Sequence, residues 1–245
     1  MISIPLFLTD TSPCSYLDKK NAQSAFVHPS FKLNSTIYSQ LIAQGFRRSG
    51  NEVYRPHCPT CSQCIASRLS VDQFGSNRNQ KRCLKKNQQT TAIVKPAQFE
   101  AAHYQLYLHY QQYKHKGGDM AKSSKEDYIN FLGSEWCHTL FVEFSIAGEL
   151  AAVTVVDLLD NALSAVYTFF DPKFSRFSLG TYAVLWQQEY AKKLGLDYVY
   201  LGFWIKECQK MSYKTQFQPV QGLINETWVD IDLPVNNLGN KDDVT

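Results

Sequence analysis

The chain has 245 residues, of which 44% are hydrophobic, 19% charged and 13% aromatic, enough to bury a core in one large domain or two small ones. Twelve Gly and nine Pro exclude a collagen-like or low-complexity chain. Net charge is only +3, but residues 47–95 hold ten Lys or Arg against Glu52 and Asp72, a local +8 that leaves −5 for the remainder. Charge segregated in this way marks a surface for a polyanion.

The apolar run at residues 2–8 is followed by Asp10 and preceded by no Lys or Arg, a poor signal peptide. Nowhere do eighteen apolar residues run together, so no membrane segment is expected and the cytoplasm is the expected location. Seven cysteines in a chain without an export signal do not suggest a disulfide framework.

In chain order, Tyr38, Leu41, Ile42 and Phe46 fall at helical spacing, with Gly45 as the stop. The Pro- and Cys-rich stretch from Cys58 predicts a tight loop running into a strand at 67–71. Residues 99–116 read as an aromatic-rich helix ending at Gly117 and Gly118, and Ser123 or Ser124 caps a second helix reaching about Leu132. Residues 139–146, 150–159 and 163–170 read as consecutive antiparallel strands turning at Gly148 and at Asp160-Asn161. A loop, DPKFSRFSLG, then opens a helix at 181–194, and a strand follows at 197–203, forming a strand, crossover helix and parallel strand. The polar tail 234–245 is expected to be disordered. This order fits an α+β fold with a GNAT-like acyltransferase domain at 97–233, behind a smaller basic, Cys-containing domain at 1–96.

Cys58, Cys61 and Cys64 follow a C-x-x-C-x-x-C spacing, with Cys14 as a possible fourth thiolate. Zinc or an iron–sulfur cluster would suit such soft ligands; the favoured reading is a thiol-braced loop without metal. Arg78, Lys81, Arg82, Lys85 and Lys86 lie in a stretch without any acid between Gln73 and Phe99, and Arg78, Arg82 and Lys85 share one helical face suited to tracking phosphates. In RFSLGTY, Arg176 precedes Gly180 by four residues and Tyr182 stands where a CoA site has a small residue. Tyr182 should crowd a CoA pyrophosphate, which points to a different donor.

CSYLD at Cys14, GFRRSG at Gly45, YRPHCPTCSQCIASR at Tyr54, SAVYTFFDP at Ser164, RFSLGTY at Arg176, YLGFWIK at Tyr200 and MSYKTQFQP at Met211 together resemble the bacterial aspartate/glutamate leucyltransferase family, relatives of the eukaryotic arginyl-tRNA–protein transferases. The resemblance runs from about Cys14 to Trp228. One element departs: FGSNRNQKR keeps Phe74, Arg78, Gln80 and Arg82 but substitutes Ser76, Asn79 and Lys81. The resemblance implies transfer of leucine from leucyl-tRNA to the α-amine of proteins beginning with Asp or Glu, marking them for N-degron proteolysis, with no cofactor required. Leucine and arginine transferases share these motifs, so an arginyl-tRNA donor is the alternative; a non-catalytic RNA-binding module is another.

On that reading Arg78, Lys81, Arg82, Lys85, Lys86 and Arg176 are the expected tRNA contacts. An acceptor carboxylate asks for a charge-assisted partner, and the candidates are Arg47, Arg48 and Arg55, with Lys206 and Lys214 as alternatives. Tyr167 and Asp171 are the expected catalytic pair, one aligning the amine and one relaying its proton.

Overall fold

The computed structural model describes residues 3–114 and 119–231. The N-terminal part comprises β1 (Leu6–Leu8), β2 (Ser12–Pro13), β3 (Asn21–Ala22), β4 (Ser24–Val27), α1 (Ser35–Ala43), β5 (Arg47–Ser49), β6 (Glu52–Pro56), β7 (Ile65–Ser70), α2 (Arg78–Lys86) and β8 (Thr91–Pro96). There follow α3 (Ala101–Lys114), α4 (Lys125–Leu132), β9 (His138–Ile146), β10 (Glu149–Leu158) and β11 (Ala162–Phe170). The chain continues through α5 (Leu179–Lys193), β12 (Tyr198–Trp204), α6 (Gln209–Ser212), β13 (Val220–Ile224) and β14 (Thr227–Asp230).

An eight-stranded sheet runs in the order β14-β13-β7-β12-β11-β10-β9-β8. Strands β9, β10 and β11 form the expected antiparallel meander, and β11 and β12 are parallel across the α5 crossover. The middle of β10 is apolar on both faces because both are covered. Val142, Phe144 and Leu163 pack with Leu179 and Tyr182 of α5 on one face, while Phe141, Val153 and Phe169 pack with Tyr107 of α3 on the other. Helix α2 lies against α5.

A four-stranded sheet, β1-β4-β6-β5, covers part of the α3 face. Its Val27 and Val53 join Tyr38, Leu41 and Ile42 of α1 over Ala162 and Tyr200 of the large sheet. Gly45 ends α1 with φ +86, a backbone state that favours glycine.

Two expectations change. The division at residue 96 does not follow the sheet, because β7 is hydrogen-bonded between β12 and β13 and β8 forms the opposite edge. Tyr182 does not crowd the entrance of α5: it is buried against Phe144, with ring centroids 5.1 Å apart, since the helix turns that side toward the sheet. The basic stretch is a helix, α2, as its spacing predicts, started by a capping box in which Asn77 and Gln80 satisfy each other's backbone N–H. The stop at Gly117 and Gly118 and the tail 234–245 lie outside the described residues.

Candidate active site

Strands β11 and β12 pair only where Ala162, Leu163 and Ser164 face Tyr198, Val199 and Tyr200, although both continue beyond. Each is then bent by an irregularity, β11 opposite Val155 and Val156, and β12 between Tyr200 and Gly202. Bulges increase local twist and break pairing, so the parallel strands part and leave a fork. Gly202 adopts φ +82, which a side chain would strain.

Arg47 of β5 occupies the fork. Its Nη1 donates to Ser164 Oγ at 3.1 Å and its Nη2 to the Ala165 carbonyl at 2.5 Å. A Cβ placed on Gly202 would stand 3.5 Å from the guanidinium. A guanidinium has five N–H donors and these two bonds use two, leaving three.

Beside Arg47 lies Lys214, only 3% exposed in the short 3-10 turn Tyr213–Gln216, with Nζ 3.1 Å from Met211 Sδ. Burial, reinforced by the neighbouring Arg47 charge, pulls its ammonium down to about 7. Among the described residues neither Arg47 nor Lys214 has a carboxylate within ion-pair distance. Two buried bases with no acid beside them can receive an anion. Helix α2 holds the turn in place, since Gln80 Nε2 and Asn77 Nδ2 both donate to the Gln216 carbonyl.

The other expected acceptor residues do not join them. Arg48 is buried and bidentate on Asp157, at 2.7 and 2.6 Å, and also donates to Gly50, Leu132 and Gly133 carbonyls and Thr139 Oγ1, so no donor remains. Arg55 stacks over Phe46 at 4.9 Å, on the strand face opposite Tyr54. Lys206 is exposed on the loop after β12.

Tyr167 and Asp171 are not brought together as a catalytic pair. Four residues of extended strand separate them by roughly 13 Å. The Tyr167 hydroxyl accepts from Gln111 Nε2 at 2.9 Å, its ring packs among Tyr107, Tyr110 and Phe131, and burial raises its pKa. Asp171 caps the following turn, accepting from Lys173 N at 2.9 Å. Sequence reasoning missed Ser164, the Ala165 carbonyl and Tyr54; the lone glycine within YLGFW was the signal for a close approach there.

The basic candidates do cluster. Arg78, Lys81, Arg82 and Lys85 line one open depression on α2, and Lys86 Nζ donates to the carbonyl of exposed Arg176 at the approach to α5. All lie on the α5 side of the sheet, opposite β5 and β6.

Cys14, Cys58, Cys61 and Cys64 are unpaired and half-buried, near enough to one another that burial and neighbouring thiols push Cys64 up to about 12. Among the described residues the one group of three or more potential ligand atoms lying within 4.8 Å of one another is Glu100, His103 and Glu143. Lys95 Nζ already occupies that cluster, 3.0 Å from Glu100 and 2.6 Å from Glu143. No helix among the described residues is long and apolar enough to cross a membrane.

The fork with its two buried bases thus lies on one face of the large sheet and the basic helix α2 on the other. The arginine-tRNA-protein transferase family matches this chain in two segments, its N terminus over residues 12–82 and its C terminus over 102–224. The chain belongs to that family. It is 46% identical to the aspartate/glutamate leucyltransferase of Marinobacter nauticus, covering 92% of this chain and 95% of that protein. It is 47% identical to the one of Teredinibacter turnerae, covering 95% and 96%. Among solved structures, the C-terminal domain of a putative lysylphosphatidylglycerol synthetase from Agrobacterium fabrum aligns with a TM-score of 0.47 at 11% identity, covering 58% of this chain and 47% of that one.

Proposed function

We propose that this protein transfers leucine from leucyl-tRNA to the α-amine of polypeptides beginning with Asp or Glu, marking them for N-degron proteolysis in the cytoplasm, where charged tRNA is found. The observation that carries this reading is the pair of buried bases, Arg47 and Lys214, at the mouth of the fork, with no acid within ion-pair distance among the described residues. The names of the relatives, aspartate/glutamate leucyltransferase, support leucine over arginine as the donor residue.

The reaction replaces an ester with an amide and needs neither ATP nor, on this reading, a cofactor. The α-amine attacks the leucyl carbonyl, a tetrahedral oxyanion forms, and the terminal ribose hydroxyl leaves with a proton. An α-amine titrates at about 7.7–8.0, so roughly a tenth to a sixth of it is already nucleophilic at pH 7. The enzyme's task is to align two reactants and stabilise the oxyanion. Past Ser164 and Leu201 the facing edges of β11 and β12 are unpaired with each other, which leaves backbone N–H and C=O groups for the leucyl group and the oxyanion. This division of labour supports a GNAT-like reading of the fold.

Arg47 holds the acceptor's side-chain carboxylate with its remaining donors, and Lys214 becomes an ammonium when that anion arrives. Arg78, Lys81, Arg82, Lys85, Lys86 and Arg176 take the tRNA backbone on the opposite face. The test is transfer of radiolabelled leucine, and separately arginine, from charged tRNA to Asp-, Glu- and Ala-initiated forms of one protein. Leucine incorporation into the first two alone is expected; arginine incorporation instead would change the donor, and tRNA binding without transfer would remove the activity.

A further inference from the structure

Arg47, Tyr54, Phe26 and Phe7 are successive cross-strand partners on β5, β6, β4 and β1, so their side chains stand in one row on one face of the four-stranded sheet. Ring centroids are 5.8 Å apart between Phe7 and Phe26 and 5.3 Å between Phe26 and Tyr54, both stacked. Exposure grows along the row, from buried Arg47 through half-buried Tyr54 and Phe26 to Phe7, which is 40% exposed. By strand alternation the same face of these four strands carries Glu52 and, apart from Arg47, no Lys or Arg.

We propose that the Tyr54–Phe26–Phe7 row is a platform for residues two to five of the acceptor polypeptide, which lies extended across the sheet with its first residue at Arg47. This rests on the acceptor reading of the fork. Strand spacing of about 4.8 Å makes the walk from β5 to β1 roughly 14 Å, the reach of about four extended residues. Charge decides between the two macromolecular substrates: apart from Arg47 this face offers phosphates no basic partner, whereas the basic α2 face lies on the other side of the large sheet. The acceptor therefore enters over the aromatic row and the tRNA from behind. The platform selects acceptors whose first residues are unfolded and apolar, a requirement beyond the identity of residue one.

Two Asp-initiated hexapeptides test this, one with Leu and Phe at positions two to four and one with Gly and Ser there. The wild-type enzyme is expected to favour the apolar peptide in kcat/KM by about fivefold, the scale of one aromatic contact. Phe7→Ser should erase most of that preference, while Leu8→Ser, which alters the opposite face of the same strand, should keep it. Equal use of both peptides by the wild type, a preference untouched by Phe7→Ser, or a Phe7→Ser defect in leucyl-tRNA affinity would each overturn the platform. Direct binding of the two peptides measures the same preference without chemistry, so an enzyme inactive on every acceptor would refute the transferase reading and leave the platform decided separately.

Discussion

Arg47 and Arg48 are consecutive on β5 and serve opposite ends: Arg48 has every donor committed to protein acceptors, while Arg47 keeps three of its five free at the fork. Strand alternation sends one guanidinium inward to Asp157 and the other to the site.

Removing Arg48 strands Asp157 in the core and opens the C-terminal carbonyls of α4. Arg48→Ala should lower unfolding free energy by about 3–5 kcal/mol, read from urea denaturation. Replacing Arg48 and Asp157 together by Met and Leu should restore much of the loss, because the unpaired charge rather than the lost attraction dominates the cost.

Arg47→Ala should leave the urea midpoint close to wild type and reduce kcat/KM for Asp-initiated acceptors by about a hundredfold. Leucyl-tRNA affinity, measured by filter binding, should stay within about twofold, since the proposed tRNA contacts are on the α2 face. Arg47→Lys should rescue little, because an ammonium cannot hold Ser164, Ala165 and a carboxylate together.

Lys214 sets a pH dependence. In the free enzyme it is neutral above about 7, and an incoming carboxylate favours its charged form, so acceptor affinity should fall as pH rises past that point. The α-amine works in the other direction, becoming reactive up to about 8. A bell-shaped kcat/KM profile follows, and Lys214→Met should abolish its alkaline decline; loss of the acid limb instead would make Lys214 a base. For folding, the depressed value means fewer protons bound in the native state, so Lys214 destabilises below about 7 and the penalty vanishes above about 10.5. Lys214→Met should accordingly raise Tm at pH 6 and leave it unchanged near pH 10.5.

The α2 face should make leucyl-tRNA binding steeply salt-dependent. Arg82→Ala and Lys85→Ala should each lower the slope of log K against log salt by about one, with the acceptor KM unaffected.

Tyr167→Phe is expected to keep the single-turnover rate within about twofold, because among the described residues its hydroxyl is hydrogen-bonded to Gln111. Asp171→Ala should act through the turn it caps and cost about 1 kcal/mol of stability, while Asp171→Asn should be nearly neutral.

The sequence carried the elements whose signals are local. The meander β9 to β11, the crossover α5 and the aromatic α3 were legible from periodicity and glycine placement. The small sheet was not, because strands of three to five residues show no period and their pairing is set by partners elsewhere. At the site, chemistry named Arg47 and Lys214 but could not separate Arg47 from Arg48, which only the direction of β5 decides. Tyr167 and Asp171 misled because neighbours in a motif, once extended along a strand, stand far apart.

The placement of β7 has a consequence for how the enzyme is made. Ser67 bonds Gly202 across 135 positions of the chain, so the central strand of the large sheet waits, during translation, for the segment that will flank it. Long-range pairing of this kind slows folding, and a ribosome-bound chain holds its basic helix long before it holds a fork. Truncated products would consequently lack catalytic geometry altogether, and only a finished polypeptide couples the two substrates.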